Sequence, residues 1–334
     1  MRDPKLDAAI DTIGLFPAIQ EYKVAAVLFS YRCTITCRHC MFGCRANSAD
    51  ADAVMTPEQC VDALAMLHDT GRLVHIAGGE VMLYWDVLVA SVKLANERGV
   101  APHFIETNCS FAADDAITRE RLTILKDHGV GGIYTSCDPY HQEHVPAENY
   151  LRVQRIAIEL FGEKRYYGPD SDPDRVREYE QIVRDESKLR DHVREYTLMM
   201  VGTGQQQLAQ YMERFPVAKL AEGNPTCEGN FTEDGLWEIH IDVYGNIFMN
   251  CGIIIGHIDT STPAEVLAAA PERTNRFVEA LCEGGALALA KLAEAEYGFE
   301  MPADVCQACE LCYLTRKHLR QFHPEIFGPA EVYA

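Results

Sequence analysis

The sequence lacks the features that mark membrane, secreted and nucleic-acid-binding proteins. It has no run of eighteen or more apolar residues, the length a membrane span needs. Its N-terminus, MRDPKLDAAIDTIG, is acidic and has no apolar stretch of the signal-peptide kind. Basic residues are few, since 30 Lys and Arg stand against 50 Asp and Glu, and the net charge of −20 disfavours binding to phosphate backbones. We therefore expect a cytoplasmic protein with no membrane span and no nucleic-acid partner.

Internal repeats and low-complexity tracts are also absent, which argues against a solenoid. Cysteine, by contrast, is abundant, with 13 in 334 residues. Disulfides are rare in reducing compartments, and an odd number of cysteines cannot all pair. Metal ligation therefore explains the cysteines better than disulfides do.

Apolar and amphipathic segments alternate through the first 200 residues. The pattern predicts strands at 24–30, 73–77, 102–107, 132–136 and 196–201, and helices at 57–70, 83–97, 114–128 and about 147–160. Such alternation is typical of βαβ units with a parallel sheet, in which ligands gather at the carboxyl ends of the strands. The charged residues 162–195 are interpreted as an insertion before the fifth strand.

The pattern changes after about residue 224. Residues 236–249 alternate like a β-hairpin that turns at 244–246, and helices are predicted at about 263–296 and 309–322. The chain is therefore divided into an N-terminal segment (1–22), a core domain (23–223) and a small C-terminal domain (224–334) made of a β-hairpin and helices.

Three cysteines, Cys33, Cys37 and Cys40, follow the first predicted strand with the spacing C-x3-C-x2-C. A [4Fe-4S] cluster normally takes four thiolates, so three would leave one iron open to an exogenous molecule. The alternative is a zinc site in which Cys44 or His39 is the fourth ligand.

The cysteine triad and the ends of the next strands resemble the signature of radical S-adenosylmethionine (radical SAM) enzymes. The second strand ends in AGGE, like the family's GGE motif, the third ends in TN, like its TNG turn, and the fourth ends in TSCD. The resemblance implies a partial (β/α)6 TIM-like barrel. It assigns SAM contacts to these residues: Gly78, Gly79, Glu80, Asn108, Ser136 and Gly202.

The resemblance also implies the chemistry. In the family, SAM chelates the open iron, and its reductive cleavage gives a 5′-deoxyadenosyl radical that abstracts hydrogen from the substrate. The electron donor is expected to be of the flavodoxin or ferredoxin type. Asp138 is a candidate for contact with SAM or substrate, and His141 and His144 are candidate acid–base or substrate-binding groups.

A second group of cysteines lies near the C-terminus: Cys227, Cys251, Cys306, Cys309 and Cys312. A cysteine pair around a hairpin followed by C-x2-C resembles the SPASM or twitch domains, which implies one auxiliary [4Fe-4S] cluster held by four of these five. The pattern departs from SPASM domains in having five residues between Gly245 and Cys251 and a short distal set. Zinc is the alternative, since C-x2-C pairs also form zinc knuckles.

The sequence therefore predicts a radical SAM enzyme that oxidises, cross-links or rearranges a small molecule or a peptide. About twenty residues precede the first strand, so no peptide-recognition domain is expected there. One alternative is a leader-dependent peptide maturase that has a separate recognition partner. The other, from a different class, is a zinc or iron–sulfur protein that binds or transfers electrons without SAM chemistry.

Overall fold

The structure is a computed structural model that describes residues 1–46, 53–196, 198–223, 226–232, 235–269 and 275–333. The chain forms two compact units. The first contains residues 1–37, 44–186 and 240–245, and the second contains residues 38–43, 187–239 and 246–334. No described helix is both long and apolar enough to cross a bilayer. The domain boundaries drawn from the sequence stay a prediction.

The first unit is built on five parallel strands. They are β1 (Val24–Leu28), β2 (Leu73–Ala77), β3 (Phe104–Thr107), β4 (Ile133–Thr135) and β5 (Tyr166–Tyr167). The helices are α1 (Pro4–Ile13), α2 (Leu15–Tyr22), α3 (Pro57–His68), α4 (Trp85–Glu97), α5 (Asp115–Asp127), α6 (Pro139–Gln142), α7 (Ala147–Phe161) and α8 (Pro173–Ile182). The strands pair in the order β5-β4-β3-β2-β1, which confirms the predicted α/β class and its parallel sheet.

Apolar composition explains why β1 and β2 lie inside the sheet. Every residue of VAAVL and LVHIA is buried, as in parallel strands covered on both faces. The intervening α3 starts at a capping box, in which Gln59 N donates to Thr56 Oγ1 at 3.2 Å and Thr56 N donates to Gln59 Oε1 at 2.9 Å. These local signals bring the carboxyl ends of β1 and β2 side by side.

The N-terminal helices α1 and α2 pack at the opposite ends of the strands. Leu6, Ile10 and Leu15 share one buried cluster with Val24 and Leu73, the first residues of β1 and β2. Burying this apolar surface stabilises the unit. This buried cluster, called the apolar plug below, covers the amino ends of β1 and β2. Ligands are expected at the opposite, carboxyl ends of the strands.

The fifth strand is not where the sequence predicted it. Residues 198–201 form no strand, and Thr197 lies outside the described residues. The Gln307 side chain satisfies this backbone instead, because its Oε1 accepts from Met200 N at 3.0 Å and its Nε2 donates to Leu198 O at 2.9 Å. The side-chain amide of Gln307 thus satisfies backbone groups that would otherwise pair with a neighbouring strand.

The charged stretch 162–195 holds the fifth strand itself. Tyr166 and Tyr167 form β5, which pairs with Ile133 and Tyr134 of β4. Aromatic residues favour strands, but a run of two is too short to indicate a strand within a highly charged stretch of sequence. The stretch is therefore partly an integral element of the sheet, whereas the sequence predicted only an insertion.

The second unit combines helices with short antiparallel strand pairs. Its strands are β6 (Phe215–Pro216), β8 (Asn246–Met249), β9 (Ile254–His257) and β10 (Asp304–Val305), while β7 (Glu238–Asp242) lies where the chain leaves this unit. Its helices are α9 (Glu186–Glu195), α10 (Gly202–Gln207), α11 (Leu220–Gly223), α12 (Pro263–Ala268), α13 (Arg276–Tyr297) and α14 (Ala308–Leu319). Strand β8 pairs with β9, and β6 pairs with β10.

The predicted turn and helices of the C-terminal region form. Gly245 has φ +86°, and its N–H donates to Asp242 O at 3.0 Å in the turn between β7 and β8. The helix predicted at 263–296 is divided between α12 and α13, and residues 270–274 within it lie outside the described residues.

We expect Ile10→Ala to lower the free energy of unfolding by about 2–5 kcal/mol, because Ile10 is 1% exposed in the plug beneath the sheet. Ile13→Ala on the same helix is the control: Ile13 is 40% exposed, so its loss should change the stability by less than about 0.5 kcal/mol. Chemical denaturation measures both. Equal effects of the two substitutions would contradict the buried plug.

Candidate functional site

In the first unit, the turn after β2 pairs with the backbone that leads into Cys33. Glu80 N donates to Arg32 O at 3.0 Å. A Cβ at Gly79 would overlap this same carbonyl oxygen, and Gly78 has φ +142°. Both positions therefore require glycine, one for space and one for conformation. The predicted GGE motif lies against the start of the cysteine loop.

The Glu80 carboxylate is 2% exposed and is bonded inside the protein. Its Oε1 accepts from Met82 N at 3.0 Å and from Thr107 Oγ1 at 2.8 Å, and its Oε2 accepts from Asn108 N at 2.8 Å. Burial raises the pKa of Glu80, while these hydrogen bonds oppose the rise. Glu80 thus joins the turn after β2 to the turn after β3, and its predicted contact with SAM stays a prediction.

Asn108 extends this connection to a cysteine sulfur. Its Nδ2 donates to Cys33 Sγ at 3.4 Å and to Thr34 Oγ1 at 3.2 Å. Hydrogen bonds to sulfur favour the thiolate and are one determinant of the potential of an iron–sulfur cluster. Glu80 holds the backbone of Asn108, and the Asn108 side chain in turn orients Cys33.

The polar residues after β4 have local partners. Ser136 Oγ donates to Glu106 Oε1 at 3.1 Å. Asp138 caps α6, because its Oδ1 accepts from Tyr140 N at 2.8 Å and from His141 N at 3.0 Å. Its Oδ2 lies 2.7 Å from His141 Nδ1. A carboxylate at this distance fixes both the ring and the tautomer of the histidine.

His144 contacts the loop between the first two cysteines. Its Nε2 donates to Thr36 O at 3.0 Å, one residue before Cys37. A proton on Nε2 is needed for this bond. The structure therefore gives His144 an anchoring contact, and its predicted acid–base role stays a prediction.

Cys40 belongs to the second unit, where it lies against the start of α10. Thr203 donates to Cys40 O twice, from its N at 3.0 Å and from its Oγ1 at 3.2 Å. Gly202 has φ +56°, and a Cβ there would overlap the same oxygen. In the structure Gly202 allows the close approach of two backbone segments, and its contact with SAM, which the resemblance implies, stays a prediction.

Four of the five C-terminal cysteines line a single cavity of about 440 Å³ in the second unit. They are Cys227, Cys251, Cys309 and Cys312, called the cysteine quartet below. Cys306 does not line this cavity, and its N–H donates to Glu310 Oε2 at 2.7 Å. The cavity therefore favours these four cysteines as the ligands of a metal group, whereas the sequence spacing left five candidate ligands.

The quartet is a poor environment for free thiolates. Burial is the largest cause that raises the pKa of Cys227, and the negative charges of the other three cysteines add to it. Burial and neighbouring thiolates raise the pKa of Cys309 to about 11. Ionising all four therefore needs a compensating cation, as a metal group would supply.

The quartet fits a cluster better than a single ion. Four thiolates are the full ligand set of a [4Fe-4S] cluster. One zinc ion holds its sulfur ligands at about 2.3 Å, and so close together, whereas among the described residues no three of the quartet sulfurs lie within 4.8 Å of one another. Four thiolates can also hold one zinc ion, so the spacing of the sulfurs is what favours the predicted auxiliary cluster, and the cluster stays a prediction.

Two helices position the quartet. Cys309 and Cys312 lie three residues apart on α14, so they share one face. Helix α13 leaves helical geometry at Gly284–Gly285. A continuous helix would pair Leu281 O with the N–H four residues later, but here Leu281 O accepts from Cys227 N at 2.9 Å. The interruption of α13 thus holds the backbone of Cys227.

Arg316 is a residue of this site that the sequence analysis missed. It is fully buried, lines the cavity, and donates from Nε to Cys312 Sγ at 3.2 Å. The sequence does contain a sign of this contact, because Arg316 follows Cys312 by four residues, about one turn of the same helix.

We expect Glu80→Gln to lower the free energy of unfolding by about 2–3 kcal/mol, because either orientation of the amide turns its NH2 toward a backbone N–H that now donates to the carboxylate. Glu97→Gln, at an exposed position on α4, is the matched control and should change stability by less than about 0.5 kcal/mol. Denaturation followed by circular dichroism measures both. A Glu80→Gln protein as stable as the control would contradict the linking role of Glu80.

Comparison with known proteins identifies the region that contains the cysteine triad and the GGE turn. Residues 27–161 match the family model described as the Radical SAM superfamily. The chain is also similar to the crystal structure of BtrN in complex with AdoMet and 2-DOIA, with 15% sequence identity, a TM-score of 0.45, and coverage of 79% of this chain and 89% of that chain. No curated protein matches the chain.

The family match spans the cysteine triad, the GGE turn and the polar ends of β3 and β4. It confirms the resemblance inferred from those residues, while the SPASM or twitch likeness of the C-terminal region stays a prediction. Over residues 27–161, the chain is a radical SAM domain.

Proposed function

We propose that the protein is a radical SAM oxidoreductase with two [4Fe-4S] clusters, one held by Cys33, Cys37 and Cys40 and the other by the cysteine quartet. The observation that carries this proposal is a four-cysteine cavity in a chain that also contains a radical SAM domain. When bound, the clusters and SAM supply one-electron chemistry: cleavage of SAM to a 5′-deoxyadenosyl radical, and removal of an electron from the substrate radical.

The residues around the triad hold its loop in place. Glu80 pairs with the backbone at Arg32, and His144 pairs with the backbone at Thr36, so both sides of Cys33 are fixed. Asn108 donates to the sulfur itself. A preorganised loop lowers the cost of assembling and orienting a bound group.

Oxidation of a substrate carbon releases a proton as well as electrons, so a base is needed. His141 is our candidate, because Asp138 orients its ring from 2.7 Å and its side chain is 13% exposed. In this proposal His144 positions the cluster loop and does not take part in proton transfer.

The proposal includes a substrate class and partners. The substrate is a small molecule or a peptide, and the reductant is a one-electron carrier of the flavodoxin or ferredoxin type. We place the protein in a reducing compartment such as the cytoplasm, because metal ligation explains its 13 cysteines better than disulfides do.

Single cysteine variants test the proposal after anaerobic reconstitution. The wild-type protein should hold about eight irons, and Cys309→Ala should hold about four but still cleave SAM when reduced. Cys37→Ala should also hold about four irons and should lose SAM cleavage. Iron analysis and chromatographic detection of 5′-deoxyadenosine measure these outcomes.

Cys306→Ala is the matched control for Cys309→Ala, because Cys306 lies outside the cavity. It should keep about eight irons and full SAM cleavage. Stoichiometric zinc in the wild-type protein, or equal iron loss in the Cys306 and Cys309 variants, would refute the proposed second cluster.

A further inference from the structure

Arg316 is held rigidly inside the second unit. Its guanidinium is fully buried and donates to Cys312 Sγ at 3.2 Å, to Cys251 O, and to Tyr333 Oη at 2.6 Å. Tyr333 Oη in turn donates to Gly252 O at 2.7 Å. The cation is thus fixed against two members of the quartet.

The charge of Arg316 needs a counter-charge. Burying an isolated cation is costly unless an anion pairs with it. None of the three hydrogen-bond acceptors of Arg316 named above is a carboxylate. Among the described residues that line the cavity, the other charged side chain is Glu238, whose Oε2 accepts from Asn250 Nδ2 at 3.1 Å. The quartet itself is therefore the anion that this arginine faces.

A fixed positive charge affects the two oxidation states of a cluster unequally. Reduction adds one negative charge, so a nearby cation stabilises the reduced state more than the oxidised state. Burial strengthens this effect, because little water is present to screen it. A hydrogen bond to a ligand sulfur acts in the same direction, and both are known determinants of cluster potential.

We propose that Arg316 raises the reduction potential of the cluster bound by the quartet, and so makes that cluster a better acceptor for the electron of a substrate radical. This inference rests on the proposed function, since it requires a cluster at the quartet. Arg316 acts through charge and through Cys312, so it is a positioning and tuning residue, not a ligand.

The test isolates the second cluster in the full chain by replacing Cys33, Cys37 and Cys40 with alanine. In this background we compare Arg316→Gln, which removes the charge, with Arg316→Lys, which keeps the charge but loses the fork of donors. Lys317→Gln is the matched control, because it removes a positive charge from the adjacent but exposed position. A redox titration followed by electron paramagnetic resonance gives each midpoint potential.

We expect Arg316→Gln to lower the reduced-to-oxidised ratio at least tenfold at the midpoint potential of the parent, which is a shift of about 59 mV for one electron. Arg316→Lys should shift the midpoint in the same direction by less. Lys317→Gln should leave it unchanged, because water and salt screen an exposed charge.

The outcomes separate this inference from the proposed function. A triad-free background that binds no iron would refute the second cluster, and the inference with it. A cluster whose potential is the same with Arg316 and with Gln would refute the inference alone. If the Gln variant loses its cluster, the Lys variant decides: a lowered potential supports the inference, and an unchanged potential or a second loss of the cluster refutes it.

Discussion

The arrangement of the radical SAM domain depends on one buried carboxylate. A carboxylate withdrawn from water must have its lone pairs satisfied by donors, and Glu80 obtains these from Met82, Thr107 and Asn108. These donors belong to the ends of two adjacent strands, so satisfying one charge fixes two turns. The backbone of Glu80 also pairs with Arg32, and the loop that carries Cys33 is thereby fixed to both.

The second unit uses a buried charge of the opposite sign beside its cysteines. Arg316 touches Cys312 directly, whereas Glu80 acts on Cys33 through Asn108. A cation next to sulfur favours added negative charge, and a neutral amide donor has a smaller effect of the same sign. Under the proposed function, the two clusters would therefore differ in potential for reasons that lie outside their ligands.

The features that the sequence predicted correctly are those that depend on residues close together in the chain. The alternation of strands and helices, the GGE turn and the turn at Gly245 all follow from neighbouring residues, and the family match agrees with the cysteine spacing. The details that failed depend on distant residues. The backbone at Leu198 and Met200 forms no strand and instead binds the side chain of Gln307, more than a hundred positions away. Spacing alone likewise could not show that Cys306 lies beside Glu310 instead of the cavity.

The interruption of α13 has a consequence for protein engineering. Leu281 O holds the backbone of Cys227, and it is available to do so because Gly284 and Gly285 leave the helix. Cys227 is therefore positioned by a break in a helix to which it does not belong. Grafting the quartet onto another scaffold would require transplanting this double-glycine break together with the four thiols, since the sulfur positions alone do not encode the geometry.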